Sequence, residues 1–247
     1  LAYSEAWIGE HITTMAEPIT YPLLFLATVI PETTSIRLGT AVVNLPHHHP
    51  AQLAAQVSMF DQMSGGRCML GIGPGGMASD AELFNSSNET RGEMMLEAID
   101  MMTAIWTQDP PYDLKGKFWD CSVKDFVMPE YGVGSIGKPL QKPHPPIALA
   151  LRSPQSAGTV LCAERGWIPI SGNFIPTSFV KMHWDAYAEA REKAGLVPDR
   201  GIWRVARSIL VTEEDQEAQD YVADPDGGLS FYFRYLRTLA MMRATPG

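Results

Sequence analysis

A chain of 247 residues with 45% hydrophobic side chains is long enough to bury a large core, as one α/β barrel or as two smaller domains, and too apolar for disorder. Its formal charge of −9, from 28 acidic against 19 basic residues, withholds the basic face that a phosphate backbone demands, so no nucleic-acid partner is expected. Cys68, Cys121 and Cys162 lie far apart without metal spacing and read as small buried hydrophobes of a reducing, cytoplasmic protein. The longest apolar stretch, 21–30, is too short to span a bilayer and lacks a signal peptide's basic flank, so no membrane partner is expected.

In chain order, strand patterns fall at 6–8, 36–44, 67–73, 146–151, 167–170 and 203–211, and helical patterns at 18–31, 50–63, 90–107, 154–165 and 177–194. This alternation is the βαβ rhythm of a parallel sheet covered on both faces, and six repeats of it favour a single closed barrel over two domains. Residues 1–6 lead straight into a strand, and one helical stretch broken by "ADPDGG" follows the last. An eight-stranded TIM barrel would therefore be short of a strand at each end of 1–247. The Pro- and Gly-rich stretch 129–146 reads either as a lid or as a structural crossover.

Four constellations stand out. Glu10 and His11 follow the first strand directly, and the carboxyl ends of barrel strands hold active sites, so an imidazole there is placed for proton transfer; the plainer reading is a polar loop start. His47, His48 and His49 sit between Pro46 and Pro50. Adjacent side chains on an extended segment point in alternating directions and no carboxylate sits at ligand spacing, so no metal is expected, and one histidine is free to turn into a pocket.

Gly71, Gly73, Gly75 and Gly76 follow the strand 67–73 in a GxGxGG spacing that does not match the dinucleotide fingerprint. Close backbone approach to a flat ligand explains the missing Cβ atoms better. Arg91, with Ser153 and Ser156 at the start of a helix, forms either an anion cradle or an ordinary helix cap beside a solvated arginine.

The runs "WIGEH", "T-IRLGTAVVNLPHHHPAQLAAQ", "DQMSGGR-MLGIGPG" and "ALRSPQSAG" together closely resemble the bacterial luciferase-like, flavin-dependent monooxygenases, from 7 to about 211 and most densely over 37–76. "PISGNFIP" looks like the limonene and alkane or alkanal oxidising branch. The resemblance implies a luciferase-like TIM (β/α)8 barrel and a two-component monooxygenase. Reduced FMN would arrive as co-substrate from a separate flavin reductase, with O2 and a small apolar terpene, aldehyde, ketone or alkane as the other reactants.

It makes His11 the catalytic base, with Glu10 fixing its tautomer or the loop, while Ile12 stands where the family has a second histidine. Ala41 and Val42 fall where the family holds a non-prolyl cis peptide beneath the isoalloxazine ring, and His49 matches a loop histidine of the flavin site, near Gly73. Arg91, Ser153 and Ser156 align with phosphate ligands, whereas a second phosphate-facing arginine falls on Pro74. The helix 50–63 is a subunit contact of a homodimer or simply a barrel cover. The rivals are a deazaflavin-dependent hydride-transfer enzyme on the same barrel, a non-catalytic flavin-binding subunit, and a metal-dependent hydrolase built on His47–His49.

Overall fold

The computed structural model describes residues 3–87 and 89–244. Leu1 and Ala2, read as leading into the first strand, lie outside the described residues. The chain runs β1 (Glu5–Ile8), α1 (Pro22–Val29), β2 (Arg37–Thr40), β3 (Val43–Asn44), α2 (Pro50–Met63), β4 (Cys68–Gly73), α3 (Ala78–Leu83) and α4 (Arg91–Thr107). It continues through β5 (Tyr112–Lys115), β6 (Asp120–Val123), β7 (Ile147–Leu151), α5 (Ala157–Arg165), β8 (Ile168–Ser171), α6 (Thr177–Lys193), β9 (Arg204–Val205), α7 (Asp215–Ala223) and α8 (Gly228–Ala244).

The strands β1, β2, β4, β7, β8 and β9 lie side by side in that order, every pairing parallel, with β3 added beside β4. Every residue of β4 is buried, as expected for a strand covered on both faces, and its side chains meet α2 and α4 in the core. Trp106 of α4 anchors that layer by donating its indole N–H to the Ala54 carbonyl of α2 at 3.1 Å. All three cysteines are buried and free, and burial pushes the Cys162 thiol up to about 12, which leaves it unreactive.

Of the expected barrel the described residues form a half-barrel, in which β1 and β9 are edges with no backbone ladder between them. Side chains alone span these edges, Arg204 of β9 donating to both carboxylate oxygens of Glu5 on β1 at 2.5 and 2.9 Å. The predicted strand 36–44 divides where the Ala41–Val42 peptide is cis, and the predicted strand 203–211 is ordered as a ladder only at Arg204–Val205. The antiparallel hairpin β5–β6, an insertion between α4 and β7, was not legible in the periodicity.

The glycines of β4 make room for the neighbouring segment 40–42. A Cβ on Gly71 would lie 1.8 Å from the Thr40 carbonyl oxygen, and one on Gly73 would lie 2.6 Å from Val42 Cγ2. The Thr40 hydroxyl donates to the Gly71 carbonyl at 2.7 Å and accepts from the Gly71 N–H at 2.9 Å, so the segment entering the cis peptide rests directly on the β4 backbone.

The Pro- and Gly-rich stretch behaves as a crossover where its contacts are strongest. Gln141 donates to Asp61 and to the carbonyl of Cys68, the first residue of β4, and Lys138 donates to the Ile105 carbonyl at 2.6 Å. These contacts hold it toward the amino ends of the strands, away from the mouth where a lid would act. No helix among the described residues is long and apolar enough to cross a membrane.

Candidate functional site

The parallel strands deliver their carboxyl ends to one face, and there Gly9, Glu10 and His11 leave β1. The neighbours Glu10 and His11 face different partners. Glu10 is 2% exposed; its Oε2 lies 2.8 Å from His48 Nε2 and its Oε1 accepts from the Asn44 N–H at 3.2 Å. Its backbone closes the same clamp, through Glu10 N–H to the Val42 carbonyl and Asn44 Nδ2 to the Glu10 carbonyl. Of the two roles expected for Glu10, fixing the loop is the one its contacts support; it does not orient His11.

His11 is oriented by Glu17, whose Oε2 lies 3.2 Å from His11 Nε2. The same carboxylate accepts from Tyr232 at 2.7 Å and from Tyr235 at 3.2 Å, both on α8. Burial first, and then the bond to Glu17, push the Tyr232 phenol above its usual range, so it remains a donor. A carboxylate only accepts, so the approach of Glu17 to Nε2 favours a proton on that nitrogen. His11 Nδ1 is buried and without a hydrogen-bond partner among the described residues.

Beside it a cavity of about 290 Å³ is lined by Trp7, Ile8, Gly9, His11, Ile19 and Ala41, among others, so the cis peptide forms part of its wall. Ile12, in place of a second histidine, offers its N–H to Asp80, which also holds Thr13 at 2.8 Å.

The three histidines diverge, His47 ending a 3-10 turn and His48 and His49 following it in extended conformation. His47 stacks on Phe84 with centroids 4.7 Å apart, and burial holds its imidazole below the ordinary value. His48 pairs with Glu10, while His49 is exposed, lines neither described cavity, and serves α2 through its carbonyl, which accepts from the Leu53 N–H. The structure therefore does not bring His49 to the His11 cavity.

Arg91 opens α4, and burial, then the nearby Arg152 guanidinium, lowers its hold on its proton. Neither arginine side chain has an acidic or hydrogen-bonding partner among the described residues. Ser156 is the N-cap of α5 but its hydroxyl makes no capping bond, and the Ser153 carbonyl is held by His183 at 2.7 Å. Arg91 thus lies near Arg152, which directly follows β7, and Ser153 and Ser156 belong to the loop from there to α5.

Arg152 is a second cation near Arg91. Its position immediately after β7 was the available signal. Nothing in the local sequence pointed to Glu17, Tyr232 or Tyr235, because α8 reaches Glu17 from 215 and 218 residues away.

A family model described as luciferase-like monooxygenase matches residues 1–243. The chain is 32% identical to 2,5-diketocamphane 1,2-monooxygenase 2 of Pseudomonas putida, over 88% of this chain and 60% of that protein. Limonene 1,2-monooxygenase of Rhodococcus erythropolis is 27% identical, over 100% of this chain and 59% of its own length. Among solved structures, the oxygenating constituent of 3,6-diketocamphane monooxygenase from Pseudomonas putida, in complex with FMN, superposes with a TM-score of 0.84 at 30% identity, over 96% of this chain and 65% of that one. The chain spans about three fifths of the length of these relatives.

Replacing Glu10 by Ala strips a buried acceptor from His48 and from the Asn44 N–H, and is expected to destabilise the fold by about 3 kcal/mol in urea unfolding. His49→Ala, at an exposed cap without a side-chain bond, is expected to stay within roughly 0.5 kcal/mol of the parent.

Proposed function

The chain belongs to the luciferase-like monooxygenases, and from that premise we propose that it is the oxygenase of a two-component system, using reduced FMN and O2 to oxidise a small apolar organic molecule. The observation that carries this reading is one connected mouth. His11 Nδ1 is bare, Glu17 joins His11 to Tyr232, Tyr232 lies within the field of Arg152, and Arg152 neighbours Arg91.

The residues fit FMN at both ends. Two guanidinium groups close together with no acid between them repel one another, and a phosphate dianion relieves that repulsion while accepting bidentate bonds. The uncapped amino end of α5 and the Ser153 and Ser156 hydroxyls add donors to the same place. At the other end, Gly9, Ala41 and Trp7 give the His11 cavity a wall suited to a flat ring.

Reduced FMN, when bound, supplies the electrons for O2 activation. The chain's own residues do the rest: Arg91 and Arg152 hold the phosphate, and Trp7, Ile8 and Ile19 limit water at the reacting end. His11 Nδ1 takes or returns a proton, while Glu17 keeps Nε2 protonated and the ring fixed. Terpenes, ketones, aldehydes or alkanes are the proposed substrates, and the names of the camphane and limonene relatives support the terpene class. A separate flavin reductase is part of this proposal.

A second copy of the chain is proposed to cover the apolar groove between α1 and α2, a cavity of about 380 Å³ lined by Tyr21, Leu24, Leu53, Met59, Phe60 and Met63. Leu24 and Met59 are 71% and 66% exposed there, the pattern of a self-complementary interface.

Oxygen-dependent product formation from reduced FMN, run with a panel of terpenes, aldehydes and ketones, tests the activity. His11→Ala is expected to lose product about 100-fold or more while binding reduced FMN within about twofold of the parent. Parental product rates in that variant contradict the base assignment, and turnover of a reduced deazaflavin without oxygen uptake favours the hydride-transfer alternative. In sedimentation, Met59→Asp is expected to turn a dimer into a monomer; a monomeric parent chain contradicts the interface.

A further inference from the structure

Behind the phosphate cradle lies a buried polar chain that the proposed chemistry does not use. His183 of α6 is 0% exposed, with Nδ1 3.0 Å from Ser171 Oγ and Nε2 2.7 Å from the Ser153 carbonyl oxygen. Ser171, the last residue of β8 and also 0% exposed, accepts from the Trp203 indole N–H at 3.0 Å. Trp203 is itself packed on Trp184, with ring centroids 5.3 Å apart.

The donors and acceptors admit one arrangement in which every group is satisfied by a singly protonated ring. The Ser153 carbonyl only accepts, so His183 Nε2 carries the proton, and Nδ1 accepts the Ser171 hydroxyl proton. The Ser171 oxygen takes the Trp203 N–H. The chain therefore ends on a rigid anchor at one side and on the loop between β7 and α5 at the other.

That loop is short. Its residues 152–156 carry Arg152 and the N-cap of α5, and Pro154, with its φ fixed and no N–H to offer, follows the pinned carbonyl directly. With the Ser153 carbonyl drawn inward to His183, rotation of the loop is blocked and Arg152 stays on the mouth beside Arg91. We infer that His183 is a positioning residue for anion recognition: it acts through Ser153 to hold Arg152 and the α5 amino end toward the flavin phosphate. The inference rests on the functional reading above, in which that anion is the phosphate of FMN.

The test compares binding of FMN with that of riboflavin, which lacks the phosphate, by flavin fluorescence titration. His183→Leu is expected to weaken FMN about tenfold and riboflavin less than twofold. His183→Gln, whose amide can still donate to the Ser153 carbonyl, is expected to restore most of the FMN affinity. Ser171→Ala, which removes the hydroxyl and keeps the imidazole, gives a reading if the leucine variant does not fold, and is expected to weaken FMN several-fold with riboflavin unchanged. Equal weakening of both flavins, or an unchanged preference for FMN, overturns the positioning role. A parent chain that binds riboflavin as tightly as FMN overturns the phosphate cradle itself, a separate failure read from the same titration.

Discussion

One carboxylate organises the mouth of this half-barrel. Glu17 lies 3.2 Å from the His11 imidazole in the loop after β1 and accepts from two phenols of α8, and so joins distant parts of the chain. Two phenols donate to this carboxylate, and its approach to His11 Nε2 favours a proton on that ring nitrogen. The other ring nitrogen is buried, without a partner among the described residues, beside a cavity. Without Glu17 the same histidine would be a partly exposed ring with neither tautomer nor orientation determined.

Two acids near His11 do different work because the backbone turns them apart. Glu10 goes inward and clamps the end of β1 to the segment after β2, through Asn44 and His48. That clamp fixes the cis segment on its far side, and the bare β4 backbone at Gly71 and Gly73 receives it on the other. Arg91 and Arg152, left without acidic partners, complete the mouth with positive charge in a chain whose net charge is −9. A local cationic site in an acidic protein selects for an anion held by geometry, since long-range attraction works against it.

The parallel architecture was legible in the alternation of short β-branched runs with helical ones, and the position of His11 followed from the rule that barrel chemistry gathers at strand carboxyl ends. Ala41–Val42 was carried by the family resemblance, and the cis bond is there. Pairing Glu10 with His11 because they are adjacent was the weaker step. Neighbouring side chains on an extended segment diverge, as those of His48 and His49 also do. Glu17 and the α8 tyrosines were illegible for another reason: a contact between residues 17 and 232 leaves no trace in any local pattern. Closure of the barrel was read from repeat number alone, which counts strands but does not pair the edges.

The dependence of His11 on Glu17 is most directly measured by nitrogen NMR of the histidine side chains, at a pH where the ring is singly protonated. The account predicts that the His11 resonances report a proton on Nε2 and a bare Nδ1, and that Glu17→Ala mixes the two tautomers. A proton found on Nδ1 in the parent chain, or a tautomer indifferent to the loss of Glu17, contradicts it.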